Sequence, residues 1–100
     1  MSIDILKYAA IDGTIPLDVW LTALRDHRAK ARVLIRLDRL GLGLEGHWRS
    51  AGEGIRDLKI SEGKGYRVYY TWDGSKIVLL LCGGNKSTQN TDIENARTYW

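Results

Sequence analysis

The chain has one cysteine, one proline and two histidines in 100 residues, and no apolar run longer than six residues. Each scarcity excludes something. With Cys82 alone, no disulfide can form within the chain and no thiolate zinc cluster can be built, so a reducing cytoplasm is the expected location. The apolar neighbours of Cys82 mark its thiol as inert. The longest apolar stretch, Ile77 to Cys82, falls far short of the ~20 residues of a membrane span, and the N-terminus lacks a basic-then-apolar signal pattern. Neither export nor membrane association is expected. His27 and His47 stand twenty residues apart and neither opens a ligand-spaced pair, so no metal site and no cofactor are expected.

What remains is an ordinary globular composition, 44% hydrophobic and 27% charged, enough for one domain over residues 1–100. Fifteen Lys and Arg against twelve Asp and Glu leave a formal charge of +3, a weak pointer to polyanions until the placement of those charges is considered.

The segment IDILKYAAIDG, within residues 1–13, alternates enough to make an edge strand. From Pro16 the period changes, and Leu17, Trp20, Leu21 and Leu24 mark an amphipathic helix. RDHR at 25–28 interrupts that face before a second stripe of Val33, Leu34, Leu37 and Leu40, which predicts two helices or one bent helix, ended by Gly41 and Gly43. The glycine-rich LGLGLEGHWRSAGEG that follows reads as a loop. Three strands come next, GIRDLKI at 54–60, YRVYYTW at 66–72 and KIVLLLC at 76–82. SEGKG is long enough for a bulged turn, and DGS carries the Asp-Gly pair that type I′ turns favour. The third strand, apolar without alternation, is expected to be central and covered on both faces. Thr91 and Glu94 stand at capping-box spacing and predict a short C-terminal helix. The chain stops abruptly at Trp100, as a clipped terminus would.

Three features can carry chemistry. Arg25, Arg28, Arg32, Arg36 and Arg39 fall within a helical arc of roughly 80°, nearly opposite the apolar stripe, with Ile35 as the exception. Such a strip can meet RNA phosphates or an acidic partner segment, or can be a solvated helix face. On the strands, alternation puts Asp57 and Lys59 on one face and Arg67, Tyr69 and Thr71 on one face of the next. If those faces coincide, Lys59 and Arg67 form a cationic floor suited to a phosphorane; otherwise they coat a solvated sheet and pair with Asp57. The third is GGNKSTQ at 83–89. It fails as a nucleotide-binding loop, because Asn85 precedes Lys86 and Leu79 stands where the first glycine belongs. Lys86 and nearby backbone N–H groups could still meet one phosphate, or the segment is a plain turn. Among the aromatics, Trp20 looks like helix core, whereas Tyr66, Tyr69, Tyr70 and Trp72 suit either base stacking or strand packing.

GIRDLKI, GYRVYY and IVLLLCGGNKSTQ, closed by DIENA and preceded by LDVWLTALRDHRAKARVLIRLDRL, resemble the RelE/ParE superfamily of bacterial toxins. The closest phrasing is that of its phage-derived addiction-module-killer branch related to HigB, over residues 17–97. The resemblance implies a small α+β fold: two N-terminal helices packed on a twisted, mainly antiparallel sheet of about four strands, with a short C-terminal helix. It implies the toxin of a type II toxin–antitoxin system, a metal-independent, ribosome-dependent endoribonuclease that cuts mRNA and inhibits translation until its antitoxin neutralises it. The implied partners are the ribosome, mRNA and a cognate antitoxin of helix-turn-helix type, with operator DNA reached only through that antitoxin. A gyrase inhibitor of the ParE kind and a non-toxic RNA-binding remnant are the alternatives.

Carried over by position, Lys59 matches a basic catalytic residue and Arg67 the phosphate-stabilising arginine, and Lys86 stands near the basic residue after the last central strand. Asp57 occupies a position that is acidic in many killer proteins and would set the charge state of Lys59. The tyrosine or histidine those nucleases carry on the C-terminal segment has no counterpart among Asn90, Thr91 and Asp92. The general acid and base therefore stay open between Lys59, Lys86 and Asp92.

Overall fold

Asp26 turns the interruption between the two apolar stripes into a helix boundary. Helix α1 spans Pro16–Ala23 and α2 spans His27–Gly41 in the computed structural model, which describes residues 3–100. The Asp26 Oδ1 accepts the Ala29 backbone N–H at 3.0 Å, satisfying a donor that the start of α2 would otherwise leave open. Leu17 and Leu21 of α1 and Ala29, Val33 and Leu40 of α2 are buried. Leu34, expected in the same stripe, is 45% exposed, because α2 rests on the line through Ala29, Val33 and Leu40.

Five strands form one mixed sheet: β1 Asp4–Lys7, β2 Trp48–Gly52, β3 Ile55–Ile60, β4 Tyr66–Asp73 and β5 Ile77–Asn85, in the order β1-β5-β4-β3-β2. The fold is α+β as expected, but the sheet has five strands rather than about four. β1 pairs parallel to β5 and every other neighbour is antiparallel. The additional strand is β2, inside the segment read as a loop. It is an edge strand whose first three residues are exposed, so burial imposes no apolar alternation on its sequence. β5 is interior, between β1 and β4, with a nearly unbroken buried run from Val78 onward.

Two turns differ from expectation. The β4–β5 link is the three residues 74–76 with only Gly74 at positive φ, so Asp73-Gly74 is not a type I′ turn. Positive φ at both central positions occurs instead at Glu53 (55°) and Gly54 (81°), the two residues joining β2 to β3. The C-terminal helix also starts earlier than predicted. A 3₁₀ turn over Lys86–Thr88 runs into α3, Gln89–Tyr99, and the reciprocal cap is made by Asn85 and Thr88 rather than Thr91 and Glu94. Asn85 Oδ1 accepts from the backbone N–H of Ser87 and Thr88, and Thr88 Oγ1 accepts from the backbone N–H of Asn85.

The two faces of the sheet are covered differently. Leu58, Ile60, Val68, Tyr70 and Leu80 pack under α1 and α2. On the other face Ile55, Tyr69 and Leu81 meet Ala96 of α3, and Tyr8 stacks on Tyr99 with ring centroids 4.4 Å apart. No helix among the described residues is long and apolar enough to cross a membrane.

Glycines make the helix contacts possible at the end of β5. A Cβ on Gly83 would lie 2.2 Å from the Trp20 ring. Gly83→Ala therefore forces α1 off the sheet, and urea unfolding should show a loss of about 1–3 kcal/mol or more. At Glu53 the sign reverses. The left-handed conformation costs an ordinary residue roughly 1–2 kcal/mol, and the Glu53–Arg97 pair is long at 3.9 Å and exposed. Glu53→Asn is expected to gain about 0.5–1 kcal/mol and raise the melting midpoint by a few degrees.

Candidate functional site

The β3–β4 register settles whether the charged faces coincide. Lys59 stands directly opposite Arg67, and Asp57 directly opposite Tyr69. All four share the α3-facing side. Like charges opposite one another are unfavourable in a ladder, and the diagonal neighbour relieves this one: Asp57 Oδ2 lies 3.2 Å from Arg67 Nε, with both side chains about 95% buried. Lys59 is half-buried and Lys86, just beyond β5, is exposed. Together Lys59, Arg67 and Lys86 line one open cleft of about 340 Å³, closed on its far side by the 61–65 loop. Neither histidine reaches it.

Arg67 is unusual for a buried cation. Its Nε and Nη1, together with Asp57 Oδ1 and the Tyr69 hydroxyl, have no hydrogen-bond partner although all four atoms are shut off from solvent. A buried polar group left in this state costs about 1–3 kcal/mol. Burial pushes the Asp57 carboxyl above its ordinary value, and Arg67, Arg49 and Lys59 only partly offset that. Burial raises the Tyr69 hydroxyl strongly, and the nearby Asp57 and Asp92 carboxylates add to it, so Tyr69 keeps its proton. The arrangement is a cation fixed in a dry wall beside an open cleft, where its charge, rather than those buried donors, can act on an anion.

Asp92 does not line the cleft, but it reaches the strand beside Arg67 because Gly84 has no side chain. Gly84 faces Arg67 across the β4–β5 ladder, and a Cβ there would sit 1.8 Å from Asp92 Oδ2. The carboxylate thus lies on the strand itself, held by a 2.5 Å hydrogen bond from Thr88 Oγ1, and burial raises its pKa. Beneath it, burial and Asp92 push the Cys82 thiol up to about 12. The backbone N–H groups of Ser87 and Thr88 are engaged by Asn85, so at this corner Lys86 itself, not a backbone cradle, is what faces the cleft.

The five arginines of α1–α2 do not act as one strip. Arg36 turns inward, its Nη1 donating to the Lys59 carbonyl at 2.6 Å and its Nη2 to the Glu45 and His47 carbonyls at 3.1 Å each. It fixes the backbone from which Lys59 projects. Arg28 and Arg32 reach Glu62 of the 61–65 loop at 3.4 and 3.7 Å, tying α2 to the cleft rim. Arg25 lines a neighbouring cavity, and Arg39 is exposed.

Sequence reasoning missed Glu45 and Glu62. Glu45 accepts two hydrogen bonds from Arg56 Nη1 and one from the Trp72 indole, while Arg56 lies 3.9 Å from the Trp48 ring centroid. These partners are 11 and 27 residues from Glu45, with no local signal to announce them. Among the described residues no group of three or more His, Cys, Asp or Glu side chains is placed to hold a metal ion.

Removing one charge of the buried pair tests the electrostatics. Arg67→Met strands Asp57 and is expected to cost about 3–5 kcal/mol at pH 7. The sign with pH follows from linkage. The folded-state pKa of Asp57 is raised, more so without Arg67, so stability falls as pH rises from the ordinary 3.8 to the folded value and is regained on acidification. Urea unfolding should show the gap between variant and parent narrowing from pH 7 to pH 4.5. Asp57→Asn combined with Arg67→Met should remove that pH dependence.

Comparison with known proteins places the chain among relatives. The family model described as phage derived protein Gp49-like matches residues 20–98. An uncharacterized protein of Haemophilus influenzae is 46% identical over 87 residues, covering 87% of this chain and 88% of that protein. No solved structure matches. The family match includes every side chain that lines the cleft, and the chain belongs to the Gp49-like family of phage-derived proteins.

Proposed function

We propose that this protein is the toxin of a type II toxin–antitoxin pair and acts as an endoribonuclease on mRNA bound to the ribosome. The observation that carries the reading is the convergence of Lys59, Arg67 and Lys86 on one open cleft. The Gp49-like family, associated with toxins of such pairs, supports it.

Cleavage by an internal 2′-hydroxyl asks for what these residues supply. The 2′-oxygen bonds to phosphorus and the P–O5′ bond breaks. The 2′-hydroxyl proton passes to a base and the departing 5′-oxygen takes a proton from an acid, leaving a 2′,3′-cyclic phosphate and a 5′-hydroxyl. Negative charge builds on the phosphorane oxygens, where Arg67, held by Asp57, and Lys86, at the mouth, stabilise it. The proton transfers fall to Lys59, Lys86 and Asp92. The ribosome orients the mRNA and so lowers the entropic part of the barrier. A helix-turn-helix antitoxin neutralises the protein, which meets operator DNA only through it.

Brief induction in bacteria, with new mRNA 5′ ends mapped with and without a block on translation initiation, tests this. In-frame ends that need ongoing translation are expected. Lys59→Ala with Lys86→Ala, both accessible and outside the buried pair, should reduce them about 10²-fold or more with the melting midpoint unchanged. Growth arrest without new ends would overturn the nuclease and point to gyrase; no arrest would overturn the toxin.

A further inference from the structure

A second cavity, about 550 Å³, lies across the 61–65 loop from the cationic cleft. Consecutive strand residues face opposite sides of a sheet, so Tyr66 lines this cavity while Arg67 lines the cleft. Its wall is the partly exposed Trp20 ring, backed by the buried Tyr66 with ring centroids 6.2 Å apart and planes tilted by 56°. Arg25 and Lys64 supply positive charge at its edge. The acid present, Asp26, has Oδ1 committed to the Ala29 N–H. Asn85 closes the end, and its orientation is set: Oδ1 accepts from the N–H of Ser87 and Thr88, which leaves Nδ2 to donate into the cavity.

Gly63 borders both cavities. It adopts φ 53°, and a Cβ there would meet Asp26 Oδ2 at 2.8 Å. The divide between cleft and cavity is backbone at Gly63, with the Asp26 carboxylate packed against it on the cavity side. A polynucleotide with a phosphate in the cleft would meet, one step over this divide, an aromatic surface, a fixed amide donor and a positive edge. That set is what holds an unstacked base, with the rings supplying stacking and the amide a hydrogen bond to a base acceptor. The volume is in the range of small-ligand sites.

We propose that the Trp20–Tyr66 cavity binds one base of the single-stranded RNA whose neighbouring phosphate occupies the cationic cleft. The phosphate half rests on the nuclease reading; the base site is tested without cleavage. The probe is an uncleavable 2′-O-methyl trinucleotide titrated into ¹⁵N-labelled protein, read at the indole N–H peaks of the four tryptophans. Trp20 is expected to shift, with Trp48, Trp72 and Trp100 still. Ala23→Phe, which fills the cavity from an exposed position at the end of α1, should weaken binding tenfold or more with the melting midpoint unchanged. A Trp20 response in a protein that cuts no mRNA would uphold the base site and sink the nuclease, and mapped ends without a Trp20 response would do the reverse. Shifts confined to the other tryptophans, or Ala23→Phe binding as tightly as the parent, would overturn the proposal. So would a Trp20 response to hexaglutamate but not to the trinucleotide, which would make the cavity a protein-docking site.

Discussion

The ion pair between Asp57 and Arg67 is the constraint around which the site is arranged, because it allows two cations to face each other across the middle of a sheet. Without it, Lys59 opposite Arg67 would repel across the ladder and Arg67 would be an unpaired charge in a dry interior. The pair does not satisfy its members: Nε sits within Coulombic reach of Asp57 yet makes no aligned hydrogen bond, and Nη1 has no partner. Unpaired buried donors on an immobilised guanidinium are costly for stability. Natural proteins keep such unfavourable arrangements mainly at functional sites.

Around that pair, other residues act by fixing backbone. Arg36 leaves the arginine series to bind three carbonyls, one of them that of Lys59, so the helix sets the height of β3 beside the cleft. Arg28 and Arg32 hold Glu62 and with it the loop closing the cleft. On the far side, Gly83 and Gly84 each give up a side chain to opposite faces, one to Trp20 and one to Asp92. Consecutive glycines in an interior strand would ordinarily weaken it. Here they bring α1 and α3 close to the strand that ends just before Lys86.

Much of this was legible in the residues, and what was not follows a physical pattern. The helical segments and the strands from Ile55 to Cys82 come from periodicity, which is local, whereas alternation left open whether Lys59 and Arg67 share a face until the β3–β4 register paired them. β2 was hidden because an edge strand with exposed residues carries no apolar signal. The α3 cap was misplaced because T-x-x-E was sought at Thr91, while Asn85 and Thr88 close the same reciprocal pair six residues earlier; N-x-x-T after a strand was the available sign. Arg36 could not be separated from Arg32 or Arg39 by spacing. Its destination depends on where residues 45–47 pass, and helix periodicity holds no information about that.

A site built this way differs in kind from one based on a histidine pair. Histidines bring their own proton exchange near neutral pH, whereas Arg67 holds a permanent charge in a fixed place. In the proposed reaction its contribution would be electrostatic preorganisation, favouring the charged phosphorane over the bound diester without reorganising at the moment of reaction. The groups to which the proposed reaction assigns proton transfer, Lys59, Lys86 and Asp92, stand on three different elements: β3, the 3₁₀ turn and α3. Their relative positions are therefore set by the register of the sheet and by the Gly84–Asp92 contact rather than by any one segment. Rigidity at the strand ends, more than the identity of a single acid or base, is what such a cleft would depend on to orient a phosphate.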